Sequence, residues 1–544
     1  MKGKKALWVL FLVSLIVYAN NLFAGFVWDD KPQVVDRQDF FSHPVNAFHL
    51  LASADTDSLN TKIPYYRPLN TLSYMLDHYL WGLNPFWYHL ENILLHSMVV
   101  MLFYLLIMEA FKDWRLAFFS ALLFSVYPAN SEAVDAVFNR NTLLCAFFSL
   151  ATLVFLMKGR KILPFLAYFL ALLSKEPATV LPFFLVSFTL TSREEKFKVN
   201  SKVFYWFFGI TAAYFLIRHL VLGTFIAKPG VEFSVERLKL IAAVYFEHFR
   251  LFVYPFKLNA LYTEKTLSFS LPKAATAIAG ILVLLYFSLR RKTPDPVRAG
   301  AQWIFWGLLP VSNVIKIPSA PVAERYQYTV LFGFALIIGY IAGQFFRRKA
   351  FWGVMSVTVL MLAFAVRTFE RNFVWKDDVS LFSSMIQSEP ENPLAHYNLG
   401  LAFEKSGEFD LAANEFKTAI SVKPTLADAR VDLGIIYAEE GHIGKAISEF
   451  KTALSSNPAL VTARLNLGVA YAKEGRLNDA IGEFGVAVSL SPFMAEAHLD
   501  LGTGYEKKGL LEKASVEFKK ALKLDPGNSA AIENLRRIEY QAGQ

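Results

Sequence analysis

Two adjacent carboxylates, Asp29 and Asp30, follow an almost wholly apolar stretch, 6–24, in the sequence GFVWDDK. Ionisable groups at the lip of a bilayer are costly to desolvate and mark a site by default. A carboxylate beside an apolar lip holds its proton more tightly and becomes a better base near neutral pH. One Asp acting as general base, with the other orienting it or the acceptor, is the chemistry this pair could perform. The bland alternative is that the pair merely stops the span at the water interface.

Three further clusters carry ionisable groups in apolar surroundings. The segment 127–141, YPANSEAVDAVFNRN, contains Glu132, Asp135 and Arg140, with Glu132 and Asp135 three apart. That spacing puts both acids on one helix face. Lys175 and Glu176 sit between two apolar runs, and Glu324 and Arg325 occur in PVAERYQY, with Lys316 just upstream. Arg suits paired hydrogen bonds to phosphate. Arg67, Arg140, Lys175, Lys316 and Arg325 are predicted to lie outside, where positive charge should be scarce, so convergence on an anionic lipid head group is expected of some of them. His78, His89 and His96 do not form a compact metal-ligand motif. No metal site is predicted, although Asp29, Asp30 and Glu132 have oxygen atoms that a divalent ion could use.

The elements that must hold these residues are helical. Of 544 residues, 54% are apolar and 51 are Phe, and the long hydrophobic runs indicate membrane spans. About eleven spans are predicted, at 6–24, 91–111, 116–132, 142–157, 162–174, 177–191, 203–222, 272–289, 300–315, 326–345 and 350–368. Basic clusters at Lys2–Lys5, Lys112–Arg115, Lys158–Lys161, Arg193–Lys198, Arg290–Lys292 and Arg347–Lys349 then all fall on the cytoplasmic side. The segment 238–256 would upset that count, and is expected to be re-entrant or interfacial. The loop 25–90 and everything after 368 are extracytoplasmic on this reading. Pieces 46–53 and 68–82 are expected to lie on the outer leaflet. The net charge of +9 is explained by these inner loops, so no nucleic-acid partner is expected. The single Cys145 gives no disulfide framework. The absence of any Asn-x-Ser/Thr sequon favours a bacterial inner membrane, with the loop 25–90 and the C-terminal part periplasmic.

From Pro393 the chain becomes soluble and periodic, with 17 Lys+Arg against 20 Asp+Glu. Leu399, Leu433, Leu467 and Leu501 recur every 34 residues, as do Gly400, Phe416 and Pro424 with their counterparts. This is the tetratricopeptide helix–turn–helix pattern. It predicts repeats at 393–426, 427–460, 461–494 and 495–528, then a capping helix at 529–541. The register runs back to Phe382 and Pro390, so a half-repeat beginning near Asp378 connects the two parts across 371–392 and should hold the repeats close to the membrane domain.

The stretches FVWDD at 26–30, YRPLNTLSYMLDHYLWGLNPFWYHLENILLH at 66–96, YPANSEAVDAVFNRNTLL at 127–144, LLSKEPATVLP at 172–182, AERYQY at 323–328 and RNFVWKDDVSLF at 371–382 together resemble the transmembrane and tetratricopeptide repeat-containing proteins and their bacterial relatives. Those are fold-C glycosyltransferases, similar to protein O-mannosyltransferases in their membrane core. The resemblance implies an all-α polytopic glycosyltransferase domain at 1–370 and a repeat solenoid at 393–544. It also implies inverting transfer of a hexose such as mannose from a polyprenyl-phosphate donor to a hydroxyl, expected on protein Ser/Thr, on the outer side. Carried onto this chain, Asp29 or Asp30 becomes the base. Arg325 and Lys175 become phosphate-binding groups, with Arg140 and Arg67 as further candidates, and Glu132, Asp135, Glu176 and Glu324 supporting. The partners expected are the lipid-linked sugar, the bilayer, and an acceptor polypeptide or glycan on the repeats. The chain departs from the pattern at Tyr127, which stands where a His commonly precedes Pro128. Two other readings stay open: an O-antigen-type ligase or polymerase, and a non-catalytic membrane-anchored adaptor.

Overall fold

Leu, Phe and Val runs bounded by Pro, Asn, Asp or Gly form helices whose ends follow these residues closely. The computed structural model describes residues 2–52, 65–223, 234–263, 267–314, 320–348 and 351–542. Lys316, Lys349 and the stretch 53–64 of the first loop lie outside the described residues. Among those described there are helices and one isolated bridge, Tyr262 to Val322, but no strand. The chain divides into Met1–Ser388 and Glu389–Gln544.

In the first unit the main helices are α1 (Lys2–Tyr18), α2 (Pro68–Trp81), α3 (Pro85–Phe111), α4 (Trp114–Ser125), α5 (Arg140–Met157), α6 (Leu163–Ser174), α7 (Leu181–Thr191), α8 (Ser201–Leu222), α9 (Val235–Val253), α10 (Leu271–Leu289), α11 (Asp295–Leu308), α12 (Gln327–Arg347), α13 (Phe351–Asn372) and α14 (Asp378–Ser388). Seven helices among the described residues are long and apolar enough to cross a membrane, and three shorter ones are apolar. Caps explain several starts. Asn84 and Asp113 accept backbone N–H groups of the first turn of α3 and α4, and Asn200 does so for α8. The helix α9 carries Glu236, Arg237, Lys239, Glu247 and Arg250 and is not among the apolar candidates. On α2 the usual amphipathicity is reversed. Leu72, Leu76, Tyr79 and Leu80 are exposed, whereas Asn70, Thr71, Tyr74 and Asp77 are buried, the pattern of a helix whose outer face meets lipid.

One expected span is corrected. The run 116–132 does not continue as a helix. It ends at Ser125, and the chain then goes through short 3-10 turns and a single helical turn, Ser131–Asp135. Pro128 removes a backbone donor at this break. Every residue from Leu123 to Leu143 is buried, so this irregular segment is enclosed by protein, the one setting in which non-helical backbone is tolerated at membrane depth. Tyr127 and Pro128 therefore lie outside any α-helix, and Glu132 and Asp135 have only the one short turn Ser131–Asp135 in common.

The helices around this segment pack closely through small residues. Gly300 on α11 and Gly333 on α12 face each other so tightly that a Cβ on Gly333 would lie 2.5 Å from the Gly300 carbonyl oxygen. Small residues let helix backbones approach in this way.

The second unit consists of helix pairs Pro393–Lys405 and Phe409–Val422, Ala427–Glu439 and Ile443–Ser456, Val461–Lys473 and Leu477–Leu490, and Ala495–Lys507 and Leu511–Leu524, with the last helix Ser529–Ala542. These are the predicted repeats and cap. The turn glycine Gly407 and its counterparts adopt a left-handed φ near +80° that suits glycine alone. At Gly400 a Cβ would come within 2.5 Å of the Phe416 ring, so the Gly–Phe contact fixes the spacing inside a repeat. A rung absent from the sequence reading joins the two helices of each repeat. Its members are His396–Glu415 at 2.6 Å, Arg430–Glu449 at 2.7 Å, Arg464–Glu483 at 2.8 Å and His498–Glu517 at 2.6 Å.

Gly333→Leu should overpack the α11–α12 contact, costing about 1–3 kcal/mol or more. The expected outcome is a lower thermal midpoint of the detergent-purified protein, with Gly209→Leu, at an open position, as the control that leaves it unchanged.

Candidate active site

The loop after α1 presents the two acids in different ways. Trp28 has φ of +46°, a left-handed conformation for a bulky residue, costing about 1–3 kcal/mol. Its neighbours hold it there, with the indole edge-on to Phe138 at 5.9 Å and to Phe382 at 6.4 Å. Asp30 is fully buried. One of its oxygens accepts the Val27 N–H at 3.0 Å and the other the Phe138 N–H at 2.6 Å. Burial pushes Asp30 up to about 8, against those two bonds, with Asp29 and Asp378 adding to the rise. Asp29 stands where a capping residue would precede the turn Asp30–Gln33, yet its side chain makes no capping bond. Burial raises its pKa above the ordinary carboxylate range, Arg325 opposes the rise and Glu132 adds to it. Asp30 thus has both oxygens engaged by backbone donors, whereas the Asp29 side chain makes no capping bond.

Three cations from separate elements lie within electrostatic reach of one another, and Arg325 is the one that acts on Asp29. Arg325 donates its backbone N–H to a Glu132 oxygen at 2.8 Å, and its guanidinium pairs with the other oxygen of the fully buried Glu132. The guanidinium also lies over the Phe138 and Tyr326 rings at 5.7 and 5.3 Å. Lys175, in the extended link between α6 and the 3-10 turn Glu176–Val180, donates to Thr142 Oγ1 at 2.6 Å. Burial, then Arg67 and Arg325, bring the Lys175 ammonium down to about 7. Arg67 pairs with Glu176 at 2.9 Å, and Arg218 approaches the same carboxylate at 3.8 Å. Arg67, Lys175 and Arg325 therefore act on one another electrostatically, with Glu132 as the counter-charge of Arg325 and Glu176 as that of Arg67.

Other expected members lie elsewhere. Arg140 is buried and its guanidinium is fully committed. It pairs with Asp77, donates to Asn92 Oδ1 at 2.9 Å and to the Tyr88 carbonyl at 3.1 Å, and lies over the Tyr74 ring. Its expected role in holding a phosphate is therefore corrected to a structural one. Glu324 turns away from Arg325 and accepts from Arg371 at 3.3 Å. Asp135 does not join Glu132 at Arg325, although the two share a spacing. Both Asp135 carboxylate oxygens are buried and without a hydrogen-bond partner among the described residues. Among the described residues no group of three or more His, Cys, Asp or Glu is arranged to hold a metal ion. Of the acids considered for a divalent ion, Asp30 and Glu132 already have their oxygens engaged.

Residue spacing gave no signal for Thr142, Arg218, Arg371 or Asp378. Tyr65 and Tyr326 also escaped notice, although both stand beside site arginines in sequence. The Arg67 guanidinium lies over the Tyr65 ring at 4.1 Å. A small recess is bounded by Thr142, Lys175, Pro177, Arg325, Tyr326 and Thr329. Its Pro177 and Thr329 walls also border a cleft reaching Phe184 and Trp303. Those two residues in turn line an apolar cavity of about 290 Å³ between α3, α5, α7, α11 and α12. The recess and the apolar cavity are thus separate spaces that each share walls with the cleft, and Lys196 and Lys198 also line the cavity.

Residues 380–427 and 431–495, and residues 495–528, match tetratricopeptide repeat families. The chain is similar to a protein O-mannosyl-transferase, F38B6.6, of Caenorhabditis elegans, 26% identical over 77% of this chain and 63% of that protein. It is also similar to protein O-mannosyl-transferase TMTC3 of Mus musculus, 26% identical over 76% of this chain and 51% of that protein. The chain thus spans between half and two thirds of the length of these relatives. Among solved structures, a crystal structure of MamA protein is 26% identical, covering 27% of this chain and 81% of that chain, with a TM-score of 0.25.

Removing one partner of a buried pair costs about 3–5 kcal/mol, whereas an apolar replacement of both is often tolerated. Arg140→Met should therefore lower the yield and thermal midpoint of the protein. Arg140→Met combined with Asp77→Leu should recover much of the loss, measured by fluorescence-detected size exclusion after heating.

Proposed function

We propose that this chain is a membrane glycosyltransferase that moves a hexose, mannose by analogy with its named relatives, from a polyprenyl-phosphate donor to a protein Ser/Thr hydroxyl on the extracytoplasmic side. The observation that carries this reading is the Asp29 carboxylate, without a capping bond, in the electrostatic reach of Arg325. Arg325 and Lys175 also line the small recess, whose walls are shared with the cleft that borders the apolar cavity.

In the proposed step an acceptor hydroxyl lies against Asp29. The carboxylate takes the hydroxyl proton as the acceptor oxygen forms a bond to the sugar C1. The bond from C1 to the phosphate oxygen breaks, and its electron pair leaves with the lipid phosphate. Arg325, Lys175 and Arg67 meet the growing negative charge of that leaving group. A single displacement of this kind inverts the configuration at C1. The lipid tail occupies the apolar cavity, and its burial helps to position the reacting carbon. Glu132 and Glu176 keep the cations aimed and moderate their repulsion while the site is empty. The repeats offer a concave surface on which an extended acceptor polypeptide can lie.

Asp29→Asn should cut transfer from labelled polyprenyl-phosphate sugar by about 10²–10⁴-fold in membranes that contain the normal amount of protein. Full activity in this variant would remove the base from the reading. Asp30→Asn should instead act through the loop, lowering protein yield together with activity.

The pH profile gives a second check. Transfer needs Asp29 ionised and Lys175 protonated. The rate at limiting donor therefore rises with pH through the raised Asp29 pKa, then falls as pH passes about 7 and Lys175 loses its charge. Lys175→Arg should abolish the falling limb while the rising limb stays, measured as kcat/KM for the donor.

A further inference from the structure

The block RNFVWKDDVSLF, 371–382, takes no part in the chemistry above, yet it makes several contacts with the loop that carries Asp29. The Lys376 carbonyl accepts the Gly25 N–H at 2.9 Å. Asp378 Oδ1 accepts the Trp28 N–H at 2.9 Å, and Asp378 Oδ2 pairs with the Lys31 ammonium. Phe382 places its ring against the Trp28 indole. Asp378 therefore brackets the acidic pair. It holds the residue just before Asp29 through the backbone and the residue just after Asp30 through a charge.

We propose that the turn between α13 and α14 is a clamp that aims the Asp29 carboxylate, with Asp378 as its positioning residue. This rests on the reading of Asp29 as the base.

Two observations separate this role from ordinary helix capping. Asp377 already caps α14, because its Oδ1 accepts the Ser380 N–H at 2.8 Å. Asp378 is therefore not needed to start the helix, and its oxygens reach across to the loop. Trp28, moreover, keeps a left-handed φ that a bulky residue adopts only when its surroundings enforce it. The N–H taken by Asp378 belongs to that residue. Rotation at Trp28 changes the direction in which the next side chain, Asp29, leaves the backbone. The other end of the block is anchored as well. Arg371 pairs with Glu324, Asn372 donates to the Val17 carbonyl at 2.8 Å, and Trp375 is fully buried. The clamp thus has a fixed base from which to hold the loop.

The test compares Asp378→Ala, which removes the acceptor, with Asp378→Asn, whose amide oxygen still accepts the Trp28 N–H. For Asp378→Ala the expected result is a fall in kcat of about 10–100-fold with the donor KM changed less than about twofold, as for a misaligned catalytic group. Asp378→Asn should stay within about threefold of the parent in kcat, the mark of a positional rather than a charge effect. A readout independent of turnover is the rate at which a hydrophobic carbodiimide labels Asp29, located by peptide mass spectrometry. It is taken at the low-pH plateau, where the carboxyl is fully protonated. That rate should change in Asp378→Ala and match the parent in Asp378→Asn. If Asp378→Ala does not accumulate, Asp378→Ser, whose shorter side chain cannot reach the Trp28 N–H, replaces it with the same expectation. Parent-like kcat and labelling in the acceptor-less variant would overturn the clamp, as would equal losses in Asp378→Asn with the protein intact. Parent-like transfer by Asp29→Asn would overturn the base instead, and the labelling comparison would still decide the clamp.

Discussion

Glu324 and Arg325 are consecutive and carry opposite charges, and each must find a partner other than its neighbour. The solution in this fold is crosswise. Arg325 reaches back to Glu132 in the buried irregular segment, and Glu324 reaches forward to Arg371 at the end of α13. A charge left alone in such a place costs several kcal/mol, so these two pairs stand or fall together with the packing around them. They tie the segment after α4, the start of α12 and the end of α13 into one block. The site and the loop that carries the acids are both built on that block.

The same constraint explains why the segment 126–142 carries Asn130, Asn139 and Asn141 together with Tyr127 and Ser131. A chain that leaves helical geometry at membrane depth exposes carbonyls that lipid cannot satisfy. Side chains take over the task. Asn130 donates to the Phe124 carbonyl at 2.7 Å and Asn139 to the Glu132 carbonyl at 2.8 Å. Asn92 on α3 serves the carbonyls of Val134 and Ala136, and the Tyr127 hydroxyl those of Leu251 and Phe252. Much of the polarity that looks like chemistry in the sequence is therefore backbone satisfaction. Arg140 belongs with it, since its guanidinium serves the Tyr88 carbonyl and Asp77. What is left over is the pair of Glu132 with Arg325, and Arg325 lines the recess.

This division also sets what the sequence could disclose. The helix ends were legible because Pro, Asn and Gly act locally, and the repeats because a 34-residue period states itself many times. The hairpin at Lys175 was legible for the same local reason. The break at Ser125 was not, since the apolar run passes through it and hydropathy does not distinguish lipid from protein surroundings. Partnerships across 193 residues, as for Arg325 and Glu132, or 350, as for Trp28 and Asp378, lie beyond any helical or turn spacing. Spacing rules also treat Asp29 and Asp30 as equals. Only the surroundings separate them, by giving one of the pair two backbone donors and the other none of its own.

That separation bears on how a site of this kind can be built at all. A single free carboxylate beside three cations would be drawn into an ion pair and lose its basicity. Here Glu132 takes up the Arg325 charge and Glu176 the Arg67 charge before Asp29 can. Lys175 is turned to Thr142. Asp30, though adjacent, cannot compete for the cations because its oxygens hold the backbone of Val27 and Phe138. Burial raises the Asp29 pKa, and Arg325, already paired with Glu132, only opposes that rise. In the proposed step the lipid phosphate would compete with these glutamates for the cations, since it brings more charge than either. The supporting acids are therefore as necessary to the proposed chemistry as the base, because they keep base and phosphate site from quenching one another.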